Sequence, residues 1–144
     1  MLTYDLLHPQ LLAGLAAAGH GDRVVLADGN FPLRAGTNPS VPIVHLNLRP
    51  GLVTVLDVLE PLLGAVPVEA ATVMASPDGA PVPAHDDYAR LLGGRAALSA
   101  VDRWAFYAQS RADDVALVVA TADQRLCANL ILTVGVRTAP AGTP

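Results

Sequence analysis

The chain has 144 residues, of which 52% are hydrophobic and only 15% charged, against about a quarter charged in an average globular protein. That balance excludes a disordered chain, and residues 1–144 are expected to form one compact domain. A net charge of −4 leaves no basic footprint for nucleic acid or an anionic membrane, and the complete absence of Lys excludes a Schiff-base or P-loop lysine.

The one cysteine, Cys127, excludes an internal disulfide and a thiolate-rich metal centre. The first apolar run follows Asp5 with no cation ahead of it, unlike a secretory signal. Every apolar stretch is broken by Gly, Pro or Asp well short of the roughly twenty residues a membrane span needs. A cytoplasmic protein is therefore expected. So few charges on a small body also lead us to expect apolar surface covered by further subunits.

Pro9 sits where a first-turn proline belongs, and Leu11, Leu12 and Leu15 mark one face of an Ala-rich helix that Gly19 would stop. The run 24–27 reads as a buried strand, broken by Asp28-Gly29-Asn30-Phe31-Pro32. A loop runs to about Pro42, followed by a strand over 43–48. Leu52, Val55, Leu56, Leu59, Leu62 and Leu63 predict an amphipathic helix over 51–64. A strand over 68–75, the turn Ser76-Pro77-Asp78-Gly79 and helices over 84–92 and 102–111 come next. Buried strands over 115–120 and 129–134 close the pattern, joined by 121–128. Helices interleaved with buried strands predict an α/β fold around a central, mostly buried sheet.

In open α/β sheets ligands bind beyond the carboxyl ends of strands. Asp28 with Asn30, and residues 123–129, fall at such places. Asp28 reads equally as an Asx-turn residue or a ligand-binding carboxylate. His20, flanked by glycines, reads as a helix-terminal histidine or as a proton donor. Asp22 reads as a turn carboxylate. Arg103 opens a helix at its positive dipole end, which suggests either a surface ion pair or a ligand partner. His8 is expected to cap the first helix, His45 to be structural, and His85, between acidic neighbours, to lie on a solvated face. Trp104, Phe106 and Tyr107 fit core, interface or a sugar-stacking platform. Cys127 reads as a small buried hydrophobe. The four scattered histidines form no zinc motif, and no nucleophile elbow or dinucleotide fingerprint occurs.

Several blocks taken in order carry a more specific signal. They are Gly19-His20-Gly21-Asp22, Leu26-Ala27-Asp28-Gly29-Asn30-Phe31-Pro32, Asp102-Arg103-Trp104-Ala105-Phe106-Tyr107, Val118-Val119-Ala120-Thr121 and Ala128-Asn129-Leu130-Ile131-Leu132, then Gly135-Val136. Their order and spacing resemble the fucose mutarotase and D-ribose pyranase family from about Leu6 to Arg137. Gly21, where the pyranase branch usually has Thr, and the aromatic segment after Arg103 resemble the fucose mutarotase branch.

The resemblance implies a three-layer α/β/α domain that assembles into homo-oligomeric rings, often decamers. It implies cofactor-free, metal-free interconversion of monosaccharide ring forms, here the anomers of L-fucose or a related aldose. By that analogy His20 is the general acid, Asp28 and Arg103 hold sugar hydroxyls, and Cys127, Ala128 and Asn129 close the pocket. The group that removes the anomeric proton stays open among Asp22, Tyr107, Asp123 and water. Two alternatives remain: a D-ribose pyranase, and a sugar-binding protein without catalysis. The sequence departs from the family at Cys127, where Tyr is usual, and over residues 36–51.

Overall fold

The computed structural model describes residues 2–139. Among them α1 (Pro9–Ala17), α2 (Leu33–Gly36), α3 (Val55–Ala65), α4 (Pro83–Leu92) and α5 (Arg103–Ser110) alternate with six strands. The strands are β1 (Arg23–Ala27), β2 (Ile43–His45), β3 (Val68–Met74), β4 (Ala97–Val101), β5 (Val115–Ala120) and β6 (Leu130–Val134). They form one sheet in the order β2-β5-β1-β6-β3-β4. β6 runs antiparallel to both β1 and β3, while the other pairings are parallel.

Alternation along the strands sorts side chains onto two faces. Val24 and Leu26 of β1, Leu117 and Val119 of β5, and Leu130 and Leu132 of β6 point to one face. There they meet Leu11 and Leu15 of α1, Val58, Leu59 and Leu62 of α3, and Tyr88 and Leu92 of α4. Val25, Val118 and Ile131 point to the other face, where Phe31 and Phe106 of α5 cover them. The result is the expected three-layer α/β/α arrangement, with α1, α3 and α4 on one side of the sheet and α5 on the other. Gly14 lets α1 lie close on β5, since a Cβ there would sit 2.9 Å from the Leu117 methyls.

One predicted boundary shifts and two unpredicted elements appear. The helix predicted over 51–64 begins only at Val55. Thr54 caps it in a reciprocal capping box with Asp57, which leaves Leu52 in the preceding loop. The loop predicted before Pro42 contains the single turn α2. An additional strand, β4, pairs in parallel with β3 at the sheet edge. Its residues are mostly exposed and lack a continuous apolar run. Elsewhere the predicted elements stand within a residue or three, and His8 caps α1 by accepting from the Leu11 N–H. No helix among the described residues is long and apolar enough to cross a membrane.

Candidate functional site

The carboxyl ends of the five parallel strands lie along one edge of the sheet, as does the start of the antiparallel β6. Five of the six predicted site residues gather there. Asp28 follows β1, Arg103 follows β4, and Cys127, Ala128 and Asn129 lead into β6.

Asp28 and Asn129 are both buried and exchange two hydrogen bonds. The Asp28 N–H donates to Asn129 Oδ1 and Asn129 Nδ2 donates to Asp28 Oδ2, each at 2.8 Å. Asp28 Oδ1 also accepts from the Asn30 N–H at 2.9 Å, so the Asx-turn reading holds too. Burial pushes the Asp28 carboxyl above its ordinary range, against the backbone N–H groups of Asn30, Ala128 and Phe31, which favour its charge. Gly29 follows because its backbone runs against the next loop. Its N–H donates to the Asp123 carbonyl at 2.8 Å, and a Cβ would sit 3.1 Å from that oxygen.

Residues 121–129 are held from below by two carboxylates and α4. Asp123, fully buried, accepts from Arg125 Nε at 3.0 Å and from its terminal nitrogen at 2.7 Å, as well as from the Val55 N–H that opens α3. Burial alone would raise the Asp123 carboxyl, but the Arg125 guanidinium and these N–H donors outweigh it and hold it below its ordinary range. Asp123 is thus a structural anchor of this loop. Arg125 reaches Asp87 of α4 as well and lies over the Tyr88 ring.

Tyr88 donates its hydroxyl to the Ala128 carbonyl at 2.8 Å, and burial pushes that phenol far above its ordinary range. His85 Nε2 donates to the Cys127 carbonyl at 3.0 Å. The expectation of a solvated face for His85 is therefore corrected: the ring is half-buried against the site loop, and Asp87 beside it faces Arg125. Cys127 is also more than a small hydrophobe. It is half-buried with φ +59°, a left-handed conformation that costs a non-glycine residue about 1–2 kcal/mol. Burial and the Asp28 carboxylate push its thiol up, while Arg103 pulls it down.

Arg103 is exposed at the first turn of α5, and none of the ion pairs among the described residues involves it. Asp102 caps that helix by accepting from the Trp104 and Ala105 N–H groups. The aromatic segment divides by depth. Phe106 is core, Tyr107 packs edge-on against Phe31, and Trp104 is 75% exposed with Tyr107 at its edge.

His20 stands apart from all of these. It precedes β1, while Asp28 follows it, and the strand alone separates the two by about 13 Å at roughly 3.3 Å per residue. Its neighbour across the sheet is Glu69, at the start of β3. His20 Nε2 and Glu69 Oε2 lie 3.0 Å apart, with side chains 59% and 43% exposed. Asp22, as predicted, is a turn carboxylate that accepts from the Gly19 N–H at 2.7 Å. Glu69 was missed by sequence reasoning because its partner lies 49 positions away. No group of three or more His, Cys, Asp or Glu side chains that could hold a metal occurs among the described residues.

The fold and this edge define an α/β protein whose ligand-type polar groups lie at strand carboxyl ends, with a separate histidine–carboxylate pair at the opposite end. Residues 1–137 match the RbsD / FucU transport protein family, and the chain belongs to it. It is 37% identical to the fucose mutarotase of Danio rerio over 92% of this chain and 90% of that one. Among solved structures, Bacillus subtilis RbsD complexed with D-ribose superposes with a TM-score of 0.83 at 25% identity, covering 96% of this chain and all of that one. The fucose mutarotase from Streptococcus pneumoniae in complex with L-fucose gives 0.78 at 26%, covering 91% and 94%.

Proposed function

We propose that the protein is a sugar mutarotase that exchanges the anomers of L-fucose or a related aldose by acid/base ring opening and reclosure. Opening a pyranose requires a proton delivered to the ring oxygen while the anomeric hydroxyl gives one up. Rotation about the freed carbonyl carbon and reclosure inverts the anomer, so the proposed chemistry calls only on proton transfer. His20 is the proton donor, with Glu69 orienting its ring. Asp28 and Asn129 present carboxylate and amide groups to sugar hydroxyls, Arg103 donates from the flank, and Cys127 and Ala128 line the remaining side.

The observation that carries this reading is the placement of these groups in a member of this family. The sugar-binding set and the acid lie at opposite ends of β1, farther apart than one monosaccharide spans. A homo-oligomer resolves the separation: the His20–Glu69 end of one copy meets the Asp28–Asn129 edge of the next. A closed ring follows from such head-to-tail contacts, and ten copies are what the family resemblance implies. The same reading places the protein in the cytoplasm, where the one free thiol, Cys127, stays reduced.

A D-ribose pyranase is the second reading, favoured by the higher TM-score to the ribose-bound structure. Saturation-transfer NMR of L-fucose and D-ribose separates the two, because exchanging signals report anomers or ring sizes directly. Enzyme-dependent exchange that disappears in His20→Ala supports the proposal. No acceleration with either sugar leaves a binding protein without catalysis. Sedimentation of the wild type tests the shared site, since a stable monomer that still catalyses would overturn it.

A further inference from the structure

We propose that His85 is a positioning residue of the sugar-binding edge, holding the peptide group between Cys127 and Ala128 in the turn that delivers Asn129 to Asp28. The inference rests on the reading of that edge as the sugar site. It concerns three consecutive residues, each tied to the rest of the fold. The Cys127 carbonyl accepts from His85 Nε2 at 3.0 Å. The Ala128 carbonyl accepts from the Tyr88 hydroxyl at 2.8 Å, and Asn129 exchanges two hydrogen bonds with Asp28. His85, the Cys127–Ala128 peptide, Asn129 and Asp28 thus form a chain of contacts from helix α4 to the buried carboxylate.

The surrounding chain explains why this plane needs a tether. Cys127 is left-handed at φ +59° without being glycine, so the local backbone does not choose this orientation unaided. On one side Arg125 is fixed to Asp123 and Asp87. On the other, the Ala128 carbonyl is fixed by Tyr88, one helical turn beyond His85. Between these anchors Leu126 is 74% exposed. A carbonyl only accepts, so the His85 ring must carry its proton on Nε2. Without that donor, the peptide is free to rotate, and the Cys127 side chain and the turn into Asn129 lose their fixed position.

The test uses the full-length assembled protein and two substitutions. His85→Ala removes the donor, while His85→Gln keeps an N–H at similar reach. Because Cys127 is the only cysteine, the rate of its modification by a disulfide reagent such as 5,5′-dithiobis(2-nitrobenzoate) reads the loop without any sugar. We expect His85→Ala to speed modification roughly two- to tenfold, the range one lost hydrogen bond spans, and His85→Gln to restore the wild-type rate. L-fucose or D-ribose affinity should fall by a similar factor in His85→Ala, with exchange at saturating sugar little changed. Leu62→Ala, a core variant on α3, controls for lost stability and should leave the thiol rate near wild type.

Equal thiol rates in wild type and a folded His85→Ala would overturn the proposal. So would an accelerated rate that His85→Gln does not restore. Failure of the wild type to bind or exchange any sugar would instead sink the sugar reading, and the thiol rates would still decide the tether.

Discussion

Asp28 and Asn129 satisfy each other's buried polar groups across the β1–β6 junction, with the amide of one matching the N–H and carboxylate of the other at 2.8 Å on both sides. The pair joins residues 101 positions apart and is complete without a ligand. Asn129→Ala removes both partners at once and leaves a buried N–H and a buried carboxylate oxygen unpaired. We expect a loss of roughly 2–4 kcal/mol, read by urea denaturation, along with loss of sugar binding. Asn129→Asp should be worse at neutral pH and recover on acidification, because it sets a second carboxylate against the first.

The His20–Glu69 pair should behave oppositely, since both side chains are exposed. Surface ion pairs contribute little to stability, so His20→Ala and Glu69→Gln should unfold within a degree or two of wild type. Anomer exchange should fall on the order of a hundredfold or more in His20→Ala, the usual contribution of a positioned general acid. Glu69→Gln should fall less, because the glutamine side chain still offers the His20 ring a hydrogen-bond partner at the same reach. Thermal melts and NMR exchange check both.

Asp123 carries a pH signature of its own. Its folded-state pKa lies below the ordinary 3.8, so the stability it contributes is present above that value and lost as pH falls through the folded pKa. Asp123→Asn strips the half-buried Arg125 of its bidentate partner and should cost about 2–3 kcal/mol at neutral pH. The gap between variant and wild type should narrow once the pH drops below 3.8. Denaturation midpoints measured in parallel across that range test the sign; a gap that widens on acidification would rule it out.

Gly14 sets two effects against each other. Alanine is favoured over glycine in a helix by about 1 kcal/mol, yet its Cβ would stand 2.9 Å from both Leu117 methyl carbons. Overpacking a filled core costs about 1–3 kcal/mol, and Leu117 is fully buried with little room to retreat. Gly14→Ala should therefore destabilise. Paired with Leu117→Val, which draws the methyls back, the same substitution should become neutral or favourable. A double-mutant cycle measured by denaturation decides it.

How much of this was legible depends on where the determining contacts lie in the chain. The run Val24, Val25, Leu26 and Ala27 declares a strand because all four are buried on both faces of the sheet. β4 does not, because Ala97, Ser99 and Ala100 lie exposed at an edge and owe their strand to pairing with β3. The start of α3 was written in Thr54 and Asp57, but the leucine spacing drew the boundary back to 51. Asp28 and the residues before β6 could be placed because each borders a recognisable strand, and Arg103 because it opens a recognisable helix. Glu69 and His85 could not, since each acts through a partner more than forty positions away. The separation of His20 from Asp28 was countable in advance: a whole strand lies between them.

The antiparallel β6 has a consequence for how the chain must be made. It is the last of the described strands in chain order and yet is one of the two central strands of the sheet, bonded to β1 on one side and β3 on the other. Before it emerges, the nascent protein holds two partial sheets, β2-β5-β1 and β3-β4, each with an unpaired apolar edge where β6 will go. Such open edges are templates for pairing with the wrong chain. A polypeptide stalled before residue 130 therefore presents two adhesive half-sheets, and an intact β6 is what joins them into one continuous sheet. Quality control of this protein should accordingly turn on the arrival of β6, Leu130–Val134, more than on any earlier segment.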